Sequence, residues 1–244
     1  MSITAKLRRH GYDVPTAVRA LRALVENPDD LPQVFTVIDA LSGSTLEWVA
    51  QRIRRSPGGE SRLERADELV GVLRDRDALR ALPEGTLGRA YLAFLESEGI
   101  SAEGILDASL RGRLPTERTA QGQRAQTLLR DSHDLWHAVT GYHGDIVGEI
   151  ALLAFTAAQT RNPAISAIVL VALAKGLARG QLGVVLDGYR RGRAAAWLPG
   201  VDWEALLARP LEEVRAELKV GAPRVYGVVR SADLREAGTL PKAA

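Results

Sequence analysis

Three of the chain's four histidines fall within residues 133–149, HDLWHAVTGYHGDIVGE, where they alternate with acids and glycines. On a helix advancing about 100° per residue, His133, Asp134 and His137 point to about 0°, 100° and 40°, so they share one sector with the two imidazoles a turn apart. Imidazoles at i and i+4 can close on one cation. On an unbroken helix Glu149 would lie roughly 18 Å beyond His137 and well off that face. The stretch Thr140-Gly141-Tyr142-His143-Gly144 supplies a bend, because its two glycines permit the positive-φ turns that fold one helix back beside the next. Asp145 is placed to cap the returning helix, with Glu149 one turn into it. Such a hairpin converges two imidazoles and up to two carboxylates, a set suited to zinc, iron, manganese or a related divalent ion. Positions left open to water or substrate favour a working site over a purely structural one.

Three other readings of the same residues stand beside this one. Asp134 either ligates the ion directly or accepts from a histidine ring and orients it. His143 can replace Glu149 in a rival set, from a position in the mobile turn. Alternatively, His133 and His137 decorate a solvated helix face, with Leu135 and Trp136 turned into the core. His10, in a polar N-terminal segment, reads as solvated.

The elements that must carry these residues are helical nearly throughout. Apolar residues recur at helical spacing, as in Val14, Val18, Leu21 and Leu24, then Val34, Ile38 and Leu41, and strand-like alternation is hard to find. Asn27-Pro28 halts the first segment and Asp30 with Pro32 opens the second. Ser44-x-x-Glu47 and Ser61-x-x-Glu64 read as capping boxes, and Ser56-Pro57-Gly58-Gly59 as a loop. A further helix spans Thr86 to Glu96, and the polar stretch from Arg111 to Gly122 is a longer connection. Helices are expected from Gln123 through Ala138 and from Asp145 to about Thr160, with two more beyond Pro163. Asp202 caps a short one and Pro210 opens the last, through Leu218. The sum is an all-α fold, a single multi-helix domain of roughly eight to ten helices over residues 1–220 carrying a metal-binding helix-turn-helix hairpin, with an irregular tail at 221–244.

Composition narrows the function. With 46% hydrophobic residues in 244, the chain can bury a sizeable core. A formal net charge of +2 gives no electrostatic case for nucleic acid as a partner. With no cysteine, thiolate metal sites, disulfides and cysteine nucleophiles are excluded, so any metal takes nitrogen and oxygen ligands. The N-terminus lacks the apolar stretch of a signal peptide, which is the expectation for a cytosolic protein. The most apolar run, Ala164 to Ala174, is far short of the roughly 20 residues that cross a bilayer, and reads as a buried helix or as one wall of an apolar groove.

The pattern HD-x-x-H, eleven residues, then E, here His133, Asp134, His137 and Glu149, resembles the signature of the Coq-four family of ubiquinone (coenzyme Q) biosynthesis proteins. Gly148-Glu149-Ile150-Ala151-Leu152 through Gln159-Thr160, Val201-Asp202-Trp203-Glu204 and Pro210-Leu211-Glu212-Glu213-Val214-Arg215 are similar to the family as well. The stretch from Leu31 through Leu95 is similar in general layout, while the tail after Gly221 goes beyond the common pattern. The resemblance implies an all-α fold, a divalent metal held by the motif (zinc by family resemblance, with iron, manganese or magnesium as further candidates), and a homodimer. It also implies a place on a membrane surface, here the inner face of the cell membrane, a groove for a polyprenylated aromatic substrate or isoprenoid lipid, and other quinone-biosynthesis proteins as partners. On that view His133, His137 and Glu149 are ligands and Asp134 is a ligand or an orienting, proton-relaying group, all four serving catalysis.

Two roles follow from the resemblance: a catalyst that removes the carboxyl group at C1 of a polyprenylated hydroxybenzoate and hydroxylates that carbon, or a non-catalytic scaffold that binds prenyl lipid and organises the other enzymes. Ala151 to Phe155, Ile165 to Leu173 and Val184 to Leu186 could wall a groove for the tail, or simply be core. Arg190, Arg191 and Arg193 could meet anionic headgroups, or form a solvated face. A metal-dependent hydrolase is a third reading, weakened because no histidine follows His143 to complete the usual ligand set.

Overall fold

Caps, prolines and glycines divide the chain into helices whose lengths follow their punctuation. The computed structural model describes residues 11–115, 118–221 and 224–241. His10 therefore lies outside the described residues. In chain order the helices are α1 (Val14–Glu26), α2 (Leu31–Leu41), α3 (Thr45–Arg54), α4 (Gly59–Glu64), α5 (Leu69–Leu73), α6 (Arg76–Ala81), α7 (Leu87–Glu98) and α8 (Ala102–Gly112). There follow α9 (Ala120–Asp131), α10 (His133–Thr140), α11 (Ile146–Thr160), α12 (Pro163–Ala174), α13 (Leu182–Ala194), a 3₁₀ turn at Leu198–Gly200, α14 (Trp203–Leu206), α15 (Leu211–Glu217) and α16 (Ser231–Glu236). The fold is all-α, with sixteen helices and no strand among the described residues. That exceeds the expected eight to ten, because α4, α5, α6 and α16 are too short to show a helical period in sequence.

Several local expectations need correction. Ser44 precedes α3, but its backbone conformation leaves the hydroxyl without a capping bond, and Glu47 instead accepts from the Thr119 backbone. Ser61 lies inside α4, which starts at Gly59 because Gly58 adopts the left-handed conformation and turns the chain early. The helix expected from Gln123 through Ala138 is two helices broken at Ser132, whose hydroxyl bonds the Leu128 carbonyl at 2.7 Å. Where the tail was expected to be irregular, it holds α16 and buries Leu240.

The main core joins residues from α5 through α15 and includes Leu135, Trp136 and Val139 of α10 with Val147, Ile150, Ala151 and Phe155 of α11. Two smaller clusters sit beside it, one among α1, α2 and α12 and one among α3, α4 and α9. Helix α11 is fixed by its crossing with α13. Gly188 and Gly192 lie so close to the carbonyls of Ala151 and Phe155 that a Cβ at either position would come within 2.3 and 2.5 Å of them. The stretches proposed as groove walls are therefore largely core, and they present only Leu170 and Leu186 strongly to the outside. No helix of the described residues is long and apolar enough to cross a membrane.

Candidate metal centre

Helix α10 is short because Gly141 ends it in the left-handed conformation (φ 75°), and its amide donates to the His137 carbonyl. Gly144, expected to make a second positive-φ turn, has an ordinary φ; it is needed for space. Its amide donates to Glu98 Oε1 at 3.1 Å, and a Cβ there would crowd the Glu98 carboxyl group. Asp145 caps α11 as anticipated, accepting from the Val147 amide at 3.2 Å. The chain thus doubles back, and Glu149 faces the two imidazoles.

His137 Nε2 lies 3.1 Å from Glu149 Oε1, and His133 Nε2 lies 3.8 Å from Glu149 Oε2. One donor atom from each of the three residues falls within 4.8 Å of the others. His137 is the fixed member. Its ring is fully buried, stacked on Phe94 of α7 with centroids 4.7 Å apart, and its Nδ1 pairs with the Tyr142 carbonyl at 2.9 Å. With Nδ1 committed to a carbonyl, Nε2 is the ring nitrogen left facing Glu149. That buried nitrogen is paired in charge with the carboxylate, although it meets no strict hydrogen-bond geometry. Two imidazoles and a carboxylate brought this close are a donor set that could hold a metal ion. His133 and Glu149 form the open side, with side chains 23% and 38% exposed.

The charges at this site act on one another. Burial alone would lower the His137 pKa, but the adjacent Glu149 carboxylate outweighs it and holds the value above the ordinary histidine range. Burial would raise Glu149, and His137 with His133 overcomes it, lowering the carboxyl to about 2.

Residues 12–224 match the family described as "Coenzyme Q (ubiquinone) biosynthesis protein Coq4". The chain belongs to the Coq4 family. It is 30% identical over 193 residues to "Ubiquinone biosynthesis protein COQ4 homolog, mitochondrial" of Bos taurus, covering 76% of this chain and 70% of that one. The protein of the same name from Danio rerio is 30% identical over 208 residues, covering 83% and 74%. A crystal structure of a candidate ubiquinone biosynthesis protein from Nostoc punctiforme superposes with a TM-score of 0.62 at 21% identity, covering 86% of this chain and all of that one, which shows the shared fold.

Within this Coq4 chain the four motif residues do not stand alike. The converging group is His133, His137 and Glu149; it includes neither Asp134 nor His143. Asp134 is buried on the far side of the first ring, its Oδ1 3.2 Å from His133 Nδ1, the place of an orienting partner. His143 is exposed beside the Tyr226 ring. The solvated-face reading fails for His137, since packing α10 against α7 buries the ring completely.

Other residues that position the site carry no sequence pattern of their own. Arg215 of α15 donates from Nε to the Val139 carbonyl at 2.9 Å and from Nη2 to the Ala138 carbonyl at 3.2 Å. Arg191 of α13 donates to the Thr140 carbonyl at 2.8 Å. Two guanidinium groups therefore satisfy the last carbonyls of α10, where the helix dipole favours positive charge. Arg191 is thereby withdrawn from the expected basic cluster, while Arg190 and Arg193 remain exposed. Membership of a run of arginines concealed this task. Phe94 could not be picked out from the apolar stripe of α7, and the Tyr142 contribution is a backbone atom, invisible to residue type.

Proposed function

We propose that this Coq4 chain is a metal-dependent enzyme that removes the C1 carboxyl group from a polyprenylated hydroxybenzoate and hydroxylates that carbon, working at the inner face of the cell membrane. The observation that supports it is the convergence of His133, His137 and Glu149, whose ligand atoms lie within 4.8 Å of one another. His133, His137 and Glu149 hold the ion; when bound, a divalent ion with open positions polarises the substrate's carboxylate or phenol oxygen and, if redox active like iron or manganese rather than zinc, also handles dioxygen.

The chain's own residues prepare that site. The Tyr142 carbonyl fixes the His137 tautomer and Phe94 fixes the plane of its ring, which also excludes water from that side. Asp134 accepts from His133 Nδ1 and so turns Nε2 toward the ion. The exposed edges of His133 and Glu149 leave one side free for the aromatic acid. The conversion balances as one carboxylic acid, one dioxygen, two protons and two electrons from an external reductant going to one phenol, one carbon dioxide and one water.

The test is to quantify zinc, iron and manganese in protein purified from metal-supplemented cells, then to follow carbon dioxide release and ring hydroxylation with a short-chain prenylated hydroxybenzoate. One stoichiometric ion and turnover that vanish together in His137→Ala support the reading. Wild-type protein that never carries stoichiometric metal removes it.

A second reading, the prenyl-lipid scaffold, draws on a different observation. Leu182, Leu186 and Tyr189 form an exposed stripe along one face of α13, ending at the exposed Arg190 and Arg193. Apolar residues bordered by cations suit an anionic membrane surface. On this reading the His137→Ala variant still binds vesicles and still supports quinone synthesis in cells.

A further inference from the structure

The family match ends at residue 224, yet the segment beyond it is laid over the metal hairpin. The Tyr226 hydroxyl donates to Asp145 Oδ1 at 2.7 Å and accepts from the His143 amide at 3.0 Å. The Val229 amide donates to Asp145 Oδ2 at 2.9 Å, and the Val229 carbonyl accepts from the Ile146 amide at 2.9 Å. Asp145, expected only to cap α11, thus accepts from its own helix and twice from the C-terminal segment. Arg230 pairs with Glu98 at 2.6 Å, and Glu98 holds the Gly144 amide with its other oxygen. The Gln181 side chain clasps the backbone of Gly227 at both its amide and its carbonyl, and Arg235 reaches Asp29 at 3.3 Å.

These bonds fall on the residues that decide where Glu149 stands. The turn at 141–145 sets the angle between α10, with its two imidazoles, and α11, with the carboxylate. Gly148, the residue before Glu149, packs directly beneath the strap: a Cβ there would come 2.4 Å from the Tyr226 hydroxyl and 2.1 Å from the His143 carbonyl. Burial, followed by the bond to Asp145, holds the Tyr226 hydroxyl protonated well above its ordinary range, so it stays a donor. A ligand set spread over two helices binds an ion well only if the arms are already held at the right separation, and groups that orient ligands change affinity by about 10- to 100-fold when lost.

We infer that residues 224–241 form a strap that pre-organises the metal hairpin, with Tyr226 and Arg230 as positioning residues that raise the site's affinity for a divalent cation without touching the ion. The inference rests on His133, His137 and Glu149 being the metal ligands.

The experiment titrates full-length, metal-free protein with Co²⁺, read by its visible absorption, alongside the melting temperature of the metal-free forms. Wild type binds one Co²⁺ per chain. Tyr226→Phe, which keeps the ring and loses the hydroxyl, binds about 10-fold or more weakly. Arg230→Ala moves the same way, and Arg230→Lys recovers most of the affinity. Variants whose Co²⁺ affinity stays within about twofold of wild type overturn the strap while leaving the metal site standing, even if they melt lower. A wild type that binds no Co²⁺ removes the ligand assignment itself. Because linkage is reciprocal, Co²⁺ must also protect the strap in the unaltered protein. Amide exchange at Val229 should slow on adding Co²⁺, and exchange unchanged by the ion overturns the inference without any variant.

Discussion

Replacing Asp134 by asparagine separates the two roles open to that residue. The side chain is buried, and its Oδ1 sits 3.2 Å from His133 Nδ1, while Nε2 of the same ring faces Glu149. Asparagine keeps the size and a carbonyl acceptor but loses the charge that makes His133 a stronger ligand. For an orienting carboxylate the expected loss of metal affinity is about 10- to 100-fold, or roughly 1.4–2.7 kcal/mol at RT ln 10 per decade. The bound ion should keep its stoichiometry and coordination, because all three ligand atoms remain. The assay is a Co²⁺ titration of wild type and Asp134→Asn, comparing the dissociation constant and the shape of the visible band. If asparagine abolishes binding as completely as His137→Ala, or changes the band to that of a site with one ligand fewer, Asp134 is a ligand and the geometric reasoning is wrong.

Acid should weaken the metal-free fold through Glu149. Its carboxyl is held at about 2 in the folded state against an ordinary value near 4.5, so it contributes stability above pH 4.5 that is lost as the pH falls toward 2. Glu149→Gln should flatten that limb in pH-dependent urea melts, and an unchanged limb would point to other carboxylates. Arg215→Ala removes two charge-assisted bonds to the end of α10 and should cost about 2–3 kcal/mol, seen as a melting point lower by about 4–12 °C. A shift under about 1 °C would mean that water replaces the guanidinium without loss. Gly141→Ala forces a Cβ into the left-handed conformation, with an expected cost of about 1–2 kcal/mol in denaturant titration. Asparagine at that position should be milder, and equal costs for the two would contradict the conformational explanation.

Sequence alone carried the all-α class and the hairpin, because both rest on local physics. Helical periodicity, the capping Asp145 and the turn-forming Gly141 act over a few residues, and the i, i+4 spacing of His133 and His137 is a property of any helix. Where local signals were weak or ambiguous the reading slipped. Several helices of five or six residues passed unseen, Ser61 resembled a cap from inside a helix, and Gly144 was credited with a turn when it only makes room for Glu98.

Tertiary packing decided the rest. The stacking of Phe94 on His137 left one histidine fully buried and the other at the rim. It also divided the carboxylates, turning Glu149 toward both rings and Asp134 behind one. The same packing set Arg191 and Arg215 against the open carbonyls of α10 and drew Tyr226 and Arg230 onto the turn from more than eighty residues away along the chain. None of these has a sequence period, because each depends on which surfaces of separate helices are buried together. A residue's type says what it can bind, and only the folded chain says what lies within reach.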